Sequence, residues 1–524
     1  MDVIKQTSEN FDFSDRMNFY LLTFGLLSAV VNFPEGYSNS YPNTSYKSFQ
    51  RMINGSYIAR GNEVRHLVAI IFPTHNLMSN KYSQFQKGIS QEDYIWIWSA
   101  ILNVWFLGYF FGTFLTPCLL ENMGRKRTLL CSNVIALLGS MLSFLSVTIS
   151  VPELFFVSRI VASISSGLSF GSLILFLQET SPTEYRGMTS FLSENTFTAT
   201  TVMGIGFGMD TIFGKNLPVL TGISTIPAII SIIIVIPLRE TPKYLLINRK
   251  NRKAAKESLK FYRGNTIDAD AILDEMLLEI DDKVCSEGSI LRSAMRVLRE
   301  SHLRTPFFIG CLSLQIVAGI WPIIYLSTDI FSKHFTEQAS QSASLLFITA
   351  SFVAGMCGMF IIERFGRRTL MLWLGFFNIV SLMLFVVFEQ LSSLFEPLKW
   401  GCIVAMTLFG ITYGIGLGPI AFFITSELVA QQHRSLVQSM VFASWAFIPL
   451  FIVPSSLSMT YLFLNMPETA GREVHEIVQE LLARTNKKQV QQLFGIQMKV
   501  CSTKIKSPIY FCGTGARKQG HNLK

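Results

Sequence analysis

The chain has 524 residues, of which 50% are hydrophobic and only 15% are charged. Since a soluble domain carries about 25% charged residues, this composition excludes a string of ordinary soluble domains and indicates a protein embedded in a membrane. The net charge of +9 does not by itself indicate nucleic-acid binding, because Lys and Arg collect in the cytoplasmic loops of membrane proteins.

The apolar residues fall into long blocks, and a block of about 20 of them crosses a bilayer as a helix. We predict eleven spans, at residues 19–41, 93–118, 128–149, 152–178, 190–213, 218–237, 305–330, 342–362, 369–393, 400–428 and 437–464. The predicted fold class is therefore an all-α polytopic membrane protein. Its predicted parts are a cytoplasmic N-terminus (1–18), an N-terminal half (19–237), a cytoplasmic linker (238–304), a C-terminal half (305–466) and a basic tail (467–524).

Basic residues in short loops predict the side of the membrane on which each loop lies. They cluster after the second span, after the eighth span and in the linker, whereas the loops after the third, fifth and seventh spans have almost none. The N-terminus is then cytoplasmic, without a cleaved signal peptide, and the loop at 42–92 lies outside. That loop carries two glycosylation sequons, at Asn43 and Asn54, which predict a glycoprotein of the plasma membrane.

A short phrase occurs twice: "GRKR" follows the second span and "GRR" follows the eighth. Later in each half a Glu precedes an Arg by seven residues, as Glu179 with Arg186 and as Glu427 with Arg434. Anchoring by positive charge explains either basic cluster, but it does not explain the second Glu/Arg pair. The repeat predicts two similar halves with a substrate site between them, the architecture of a transporter that rocks between two states.

These motifs resemble those of the sugar porter family of the major facilitator superfamily, and especially the animal facilitative glucose transporters. The resemblance covers about residues 19 to 477 and includes "PTEYRG", "RETPKYLLINR", "GIWPIIYLSTDIF", "GLGPIAFFITSEL" and "PETAGR". It implies a major facilitator fold of two six-helix halves and no enzymatic activity. It also implies facilitative transport of a hexose or a similar small polar solute by alternating access.

The chain departs from this family where the resemblance implies sugar binding. In the glucose transporters the seventh span has two glutamines and an asparagine that hydrogen-bond sugar hydroxyls. Here Gln315 keeps the first position, whereas Ile316 and Trp321 replace the other two. In the tenth span Phe422 replaces a tryptophan and Gly414 replaces a glutamate.

Two further positions complete the candidate substrate site. In the eleventh span Ser444 replaces an asparagine beside a retained Trp445, and in the fifth span Glu194 replaces a glutamine. The candidate substrate residues are Gln315, Glu194, Ser444, Trp445 and Phe422. Because the lost amides removed partners for sugar hydroxyls, the identity of the solute stays open.

Charged residues in these motifs are candidates for an inner gate, which closes when the two halves pair and opens when they separate. The candidate gate residues are Arg125, Arg159, Glu179, Arg186, Arg367, Glu427 and Arg434.

Two carboxyl groups inside the predicted spans leave other mechanisms open. Glu35 lies near the outer end of the first span and Glu194 early in the fifth. An intramembrane carboxylate is often a proton carrier, so a proton-coupled symporter is one alternative; a solvated position for both carboxylates would argue against it. A non-transporting nutrient sensor with the same fold is another alternative.

The sequence predicts few other interactions. No phosphate-binding loop, metal cluster or catalytic triad is recognisable, so no enzyme, cofactor or metal site is predicted. The predicted partners are a small sugar-like solute and the lipid bilayer, without nucleic acid, and the oligomeric state is not predicted.

The repeat also predicts a missing piece in the second half. From Glu179 to Glu240 is 61 residues and includes two spans, whereas from Glu427 to Glu468 is only 41 residues. The shortfall of 20 residues equals about one bilayer crossing. We therefore expect a truncated last span.

Overall fold

A computed structural model describes residues 2–60, 91–182, 186–264, 268–277, 290–392, 394–445 and 461–462. Within these ranges the side chains of residues 2–21, 60, 91, 92, 186, 290–292, 363, 431, 432 and 445 are not described. The regular structure of the described residues is entirely helical, which agrees with the predicted all-α class.

The N-terminal half consists of eight described helices. They are α1 (Asp2–Thr44), α2 (Tyr46–Arg60), α3 (Gln91–Asn122), α4 (Arg125–Thr148), α5 (Pro152–Thr180), α6 (Arg186–Phe207), α7 (Leu217–Gly222) and α8 (Thr225–Val235). The first span continues as helix to Thr44, three residues beyond its predicted end, and α2 lies within the predicted outer loop.

Four short helices form the described part of the linker: α9 (Pro242–Ile247), α10 (Arg252–Arg263), α11 (Ala269–Leu277) and α12 (Ile290–Arg299). Three of them share a small apolar core, in which Leu246 of α9, Leu259 of α10 and Leu273 of α11 are buried. The apolar residues of α10 recur every three or four positions, and this spacing aligns them on one helix face. The linker is thus a packed layer at one end of the membrane helices.

The C-terminal half contains seven described α-helices. They are α13 (Ser301–Val317), α14 (Ile320–Ser332), α15 (Glu337–Phe365), α16 (Arg367–Ser392), α17 (Lys399–Thr412), α18 (Gly418–Leu428) and α19 (Gln431–Trp445). Between α17 and α18 lies a five-residue π-helical segment, Tyr413–Leu417.

Eight segments of the described chain are long and apolar enough to cross a membrane. They are 93–122, 125–148, 152–180, 217–235, 301–332, 337–362, 367–392 and 396–428. Helices α1 and α6 coincide with two further predicted spans but are more polar, and α19 overlaps only the start of the span predicted at 437–464. Most of the predicted span 437–464, its expected truncation and the tail at 467–524 lie outside the described residues, so those predictions stay untested.

The polar helices lie where the two halves meet. Helix α6 packs on α1 within the N-terminal half and on α15 and α18 of the C-terminal half. Helix α1 also meets α14, and α3 meets α19. Because these helices bury polar faces against other helices instead of exposing them to lipid, their low hydropathy is compatible with spanning the bilayer.

Two spans of the C-terminal half are interrupted at this interface. The seventh breaks between α13 and α14, at Ala318 and Gly319, and the tenth breaks at the π-helical segment. An interrupted helix leaves backbone groups without their usual partners, and membrane proteins tolerate this where the segment is covered by protein or lines a cavity. The breaks therefore mark the region in which a site is expected.

The repeated phrase forms the same backbone turn in both halves. Gly124 precedes α4 and has φ +95°, and Gly366 precedes α16 and has φ +75°. Residues other than glycine rarely adopt these φ angles. A Cβ at Gly124 would also collide with the Glu240 carboxylate and approach the Tyr244 ring. Glycine is thus required both by the turn and by the close approach of the linker.

We expect Gly124→Ala to lower the unfolding temperature of the purified protein in detergent by more than Gly264→Ala does. Gly264 is a matched control, since it has φ +87° but no atom within 4 Å of the place that an added methyl group would occupy. Both substitutions impose a backbone strain of about 1–3 kcal/mol, and only the first adds the collision with Glu240. Equal shifts of the two variants would show that Glu240 moves aside without cost.

Candidate functional site

A small cavity of about 10 Å³, room for about one water molecule, lies between the halves, close to the interrupted helices. Its lining comes from the N-terminal half (α1, α3, α5, α6) and from the C-terminal half (α14, α18). The lining residues are Glu35, Tyr109, Phe170, Glu194, Phe197, Trp321 and Phe422. Two carboxyl groups and five aromatic rings therefore face one enclosed space.

Glu35 lies inside the protein and not at the solvated outer interface. Glu35 follows Pro34 within α1 and is only 6% exposed. Its Oε2 atom is buried and has no hydrogen-bond partner among the described residues. The sequence left open a solvated position for Glu35 at the outer interface, whereas the structure buries this residue.

Glu194 connects the two halves. It is buried on α6, and its Oε1 accepts a hydrogen bond of 2.5 Å from the Tyr413 hydroxyl. Tyr413 begins the π-helical segment of the tenth span. The interruption of that span therefore brings a donor from the C-terminal half to a carboxyl group of the N-terminal half.

Aromatic rings close the space beside the carboxyl groups. Trp321 of α14 stacks on Trp105 of α3, with ring centroids 5.1 Å apart, and lies 5.7 Å from Phe197 of α6. Phe422 of α18 meets Phe170 of α5 edge-on at 5.1 Å. Trp321 stands where the family resemblance implies an asparagine, so an indole fills space that a smaller amide would leave to a solute.

The inner end of the N-terminal half holds a buried charge cluster. (The inner end is the one with the repeated basic phrases, which the sequence places in the cytoplasm.) Glu179 accepts hydrogen bonds from Arg125 Nε at 3.1 Å and from Thr241 Oγ1 at 2.6 Å. The Arg125 guanidinium also lies 5.1 Å from the centre of the Tyr244 ring. This cluster joins α4, α5 and the start of the linker.

Glu240 caps the N-terminus of α4 from the linker. Its Oε1 accepts hydrogen bonds from the backbone N–H groups of Arg125 at 2.9 Å and Lys126 at 3.0 Å. These N–H groups have no partner within the helix, and the helix dipole favours a negative charge there. Burial raises the pKa of the Glu240 carboxyl above its ordinary value, while hydrogen bonds from the N–H groups of Lys126 and Thr241, the Arg125 charge and the Arg125 N–H oppose this rise.

The C-terminal half repeats the ion pair in the corresponding place. Arg367 Nε lies 3.5 Å from Glu427 Oε2, and both side chains are buried. Arg434 is also buried, and its Nε donates to the Val429 carbonyl at 3.2 Å. The neighbouring Ser435 reaches the other half, donating to Glu121 Oε1 at 3.1 Å. At this end the halves are in contact.

The outer end is closed by contacts of α1 with the C-terminal half. Asn43 Nδ2 donates to Ser327 Oγ at 2.8 Å, and its Oδ1 accepts from the Thr328 N–H at 3.1 Å. Gln341 Nε2 donates to the Thr44 carbonyl at 3.0 Å. The cavity is therefore enclosed from both ends.

Comparison with known proteins identifies the family. Residues 24–454 match the family described as "Sugar (and other) transporter". The chain belongs to this sugar transporter family. Facilitated glucose transporter member 1 of Gallus gallus is 29% identical over 75% of the chain and 84% of its own length. Member 5 of Equus caballus is 27% identical, with 76% and 83% covered.

The fold of this transporter resembles that of solved structures of the major facilitator superfamily. The proton:xylose symporter XylE bound to 6-bromo-6-deoxy-D-glucose superposes with a TM-score of 0.68 at 14% identity, covering 88% of this chain and 98% of XylE. A partially occluded inward-open form of XylE from E. coli gives a TM-score of 0.61. Together with the eight apolar segments, the family match makes the chain a multi-pass membrane transport protein and not an enzyme, as the sequence predicted.

The structure brings together only some of the predicted substrate residues of the transporter. Glu194 and Phe422 line the cavity, whereas Gln315 and Ser444 are not among its lining residues. Ser444 Oγ donates to the Val441 carbonyl and lies 3.1 Å from Cys311 Sγ. The side chain of Trp445 lies outside the described residues.

Arg159 is not part of the inner gate. It lies seven residues after the start of α5, whereas Glu179 is at the other end of that helix. At 1.5 Å per residue the two are roughly 30 Å apart. The Arg159 guanidinium instead donates to the Ser38 carbonyl of α1 at 2.9 Å. The prediction was wrong because a motif residue was placed in the gate without regard to the direction of its helix.

The other predicted gate residues do lie at the inner end. Arg125 pairs with Glu179, and Arg367 pairs with Glu427, each pair within one half. The side chain of Arg186 lies outside the described residues. The structure thus describes ion pairs that join helix ends within a half, while Ser435 and Glu121, which the sequence reasoning missed, make a direct contact between halves.

Asn43 does not have the exposed position expected of a glycosylated residue. It is 4% exposed, and its Nδ2 atom, to which a glycan would be attached, bonds Ser327. Asn54 lies on α2 and is partly exposed. A sequon describes only three residues of sequence, so it could not reveal that tertiary contacts bury the first of the two.

We expect a glycan at Asn54 but none at Asn43. In cells that glycosylate membrane proteins, Asn54→Gln should abolish the mobility shift produced by a glycosidase, whereas Asn43→Gln should leave the shift unchanged. A shift that is lost or reduced in Asn43→Gln would contradict the buried position of this side chain.

We expect Arg434→Ala to open the inner end, because the lost guanidinium no longer holds the start of α19, next to the contact between Ser435 and Glu121. A cysteine placed at Gln178, which is buried near the inner end of α5, reports the opening by its rate of maleimide labelling. The loss of roughly 1 kcal/mol of net hydrogen bonding raises the open population about fivefold. Arg364→Ala is the control, since Arg364 is exposed at the inner end of α15. Equal labelling rates of both variants would show that Arg434 only helps to keep its loop on the cytoplasmic side and does not hold the inner end closed.

Proposed function

We propose that this protein carries a hexose or a similarly small polar solute across the plasma membrane by facilitative alternating access. The observation that supports this most directly is the small cavity between the halves, with side chains of both halves in its lining. A carrier needs such a space, since the solute must be enclosed before the opposite side opens. The family membership and the glucose-transporter relatives support the choice of solute.

Alternating access requires contacts that can break on one side while those on the other side hold. The outer contacts of Asn43 and Gln341 and the inner contact of Ser435 with Glu121 are hydrogen bonds between halves. The two buried ion pairs, in contrast, lie within each half, whereas the exposed pair of Lys47 and Glu337 joins the halves at the outer end. Each half can therefore move as a unit, because its own helix ends stay joined while the weaker contacts between halves exchange.

Proton-coupled symport is the second candidate, and the position of Glu35 favours it. Glu35 and Glu194 line the same cavity, away from bulk water. A buried carboxylate is costly unless it is protonated or paired with a cation. A proton that travels with the solute would remove this cost at one of the two groups.

The experiment is uptake of labelled glucose, fructose, xylose and a set of polyols into proteoliposomes that contain a pH-sensitive dye. We expect saturable entry of at least one solute without a change of lumenal pH. Acidification of the lumen together with solute entry would favour the symporter instead. Binding without uptake would favour the non-transporting sensor.

We further expect Trp321→Asn to raise hexose uptake several-fold, because the smaller amide widens the cavity and supplies a donor and an acceptor for hydroxyl groups. Trp400→Asn is the control, since Trp400 is 59% exposed at the start of α17. Unchanged or lower uptake by a folded Trp321→Asn protein would argue against a solute site beside Trp321.

A further inference from the structure

We propose that the central cavity binds solutes bearing a protonated amine in preference to neutral sugars, through the carboxylates of Glu35 and Glu194 and the surrounding aromatic rings. This inference rests on the proposed carrier function and specifies the substrate class of the same site. It comes from the lining of the cavity, in which the described residues include two acids and no Lys, Arg, His, Asn or Gln.

The two carboxyl groups have no cationic partner in the described part of the chain. Neither takes part in any of its ion pairs, and the hydrogen bond that Glu194 receives comes from the neutral Tyr413 hydroxyl. Glu35 Oε2 is buried without a partner among these residues. The groups also repel one another when both are charged. Removing a charge from water without compensation is costly, so the site is electrostatically incomplete until a cation enters.

An ammonium group supplies the cationic partner that the two carboxyl groups lack among the described residues. It carries three N–H donors and a positive charge, and hydrogen bonds between charged partners are about twice as strong as neutral ones. One ammonium placed between the two carboxyl groups would donate to both and remove their mutual repulsion. A neutral hexose supplies hydroxyl donors but no charge, and would leave the repulsion in place.

The rings complete a site for a cation. Tyr109, Phe170, Phe197, Trp321 and Phe422 line the cavity together with the acids. The face of an aromatic ring attracts a cation, by about 2 kcal/mol or more when the pair is removed from water, and Trp attracts it best. Trp321 is held in place by its stack on Trp105. The same replacement that removes an amide expected for sugar recognition thus adds the ring that suits an ammonium group.

The distribution of these groups between the halves suggests how a charged solute would move. Both acids belong to the N-terminal half, on α1 and α6, while Trp321 and Phe422 belong to the C-terminal half, on α14 and α18. When the halves rock, the acids stay together and face each side in turn. The solute's charge would cross the membrane with no counter-ion, so the membrane potential should drive its uptake.

The experiment uses the full-length protein in proteoliposomes, with equal pH on both sides, well below the pKa of the amine. The probes are glucosamine, glucose and N-acetylglucosamine; the last keeps the nitrogen but not the positive charge. We expect glucosamine to bind at least about tenfold more tightly than either neutral sugar. We also expect a potential that is negative inside, set with potassium and valinomycin, to accelerate its uptake.

Substitutions of the two carboxyl groups test whether these groups cause the preference for glucosamine. Glu35→Gln and Glu194→Gln keep the side-chain shape and should each weaken glucosamine binding at least about tenfold, and by more than they change the binding of glucose. Glu257→Gln is the matched control, since Glu257 is exposed on α10 of the linker and paired with Arg239, away from the contact between the halves. It should leave all three affinities unchanged. If a Gln variant does not fold, the preference of the unaltered protein for glucosamine over the neutral sugars still tests the inference.

The possible results separate this inference from the proposed function. Transport of neutral sugars without a preference for glucosamine would overturn the inference and leave the carrier function intact. A preference that persists in both folded Gln variants would also overturn it, because the charge would then be recognised elsewhere. Charge-dependent binding of glucosamine without uptake of any solute would support the inference and contradict the carrier function.

Discussion

Backbone N–H and C=O groups in lipid find no water to bind, so they must bond within the protein. This constraint makes every described span of the chain a helix, and it restricts irregular backbone to places that other helices cover. The two interruptions, between α13 and α14 and at Tyr413–Leu417, both lie in the C-terminal half where it meets the N-terminal half. The cavity lies at the same interface, where Trp321 of the seventh span lines it and Tyr413 of the tenth span donates to Glu194.

Buried charge is handled in two different ways in this protein. At the inner end, Glu179 is fully buried but is paired with Arg125 and bonded by Thr241. Because a buried ion pair repays its desolvation only with good geometry and further hydrogen bonds, this cluster is well suited to a permanent structural role. In the centre, Glu35 and Glu194 lack such partners within the described chain. The buried charge at the helix ends is thus neutralised by the protein's own residues, whereas at the centre the proposed solute would neutralise it.

Much of the architecture was accessible from the sequence, because hydropathy and repeated motifs report directly on it. Long apolar blocks predicted the spans, and the repeated "GR" phrase predicted two similar halves, in which Gly124 and Gly366 both have a positive φ angle. The polar helix α6 was also recognised, although its many Ser and Thr residues lower its hydropathy. The last predicted span and the tail beyond it are not part of the described chain, so they add nothing to this comparison.

The site was harder to predict, since it depends on which side chains meet after folding. Gln315 was chosen from the family pattern, but the seventh span turns Trp321 and not Gln315 into the cavity. Glu35 was noticed as an intramembrane acid, yet only packing shows that it shares a space with Glu194. Asn43 looked like a glycosylation site because three adjacent residues define a sequon, whereas its partners Ser327 and Thr328 lie more than 280 residues away.

The outer contacts of α1 also affect how strongly a solute outside the membrane is bound. Opening this side breaks the two hydrogen bonds of Asn43 and the one from Gln341. At about 1 kcal/mol net for each, the outward-open form would be roughly a hundredfold rarer than the enclosed form. A solute that binds only the rare form has an apparent dissociation constant larger than the intrinsic one by the same factor. The transporter would then saturate only at high external concentration, even if its site holds the solute tightly once the cavity has closed.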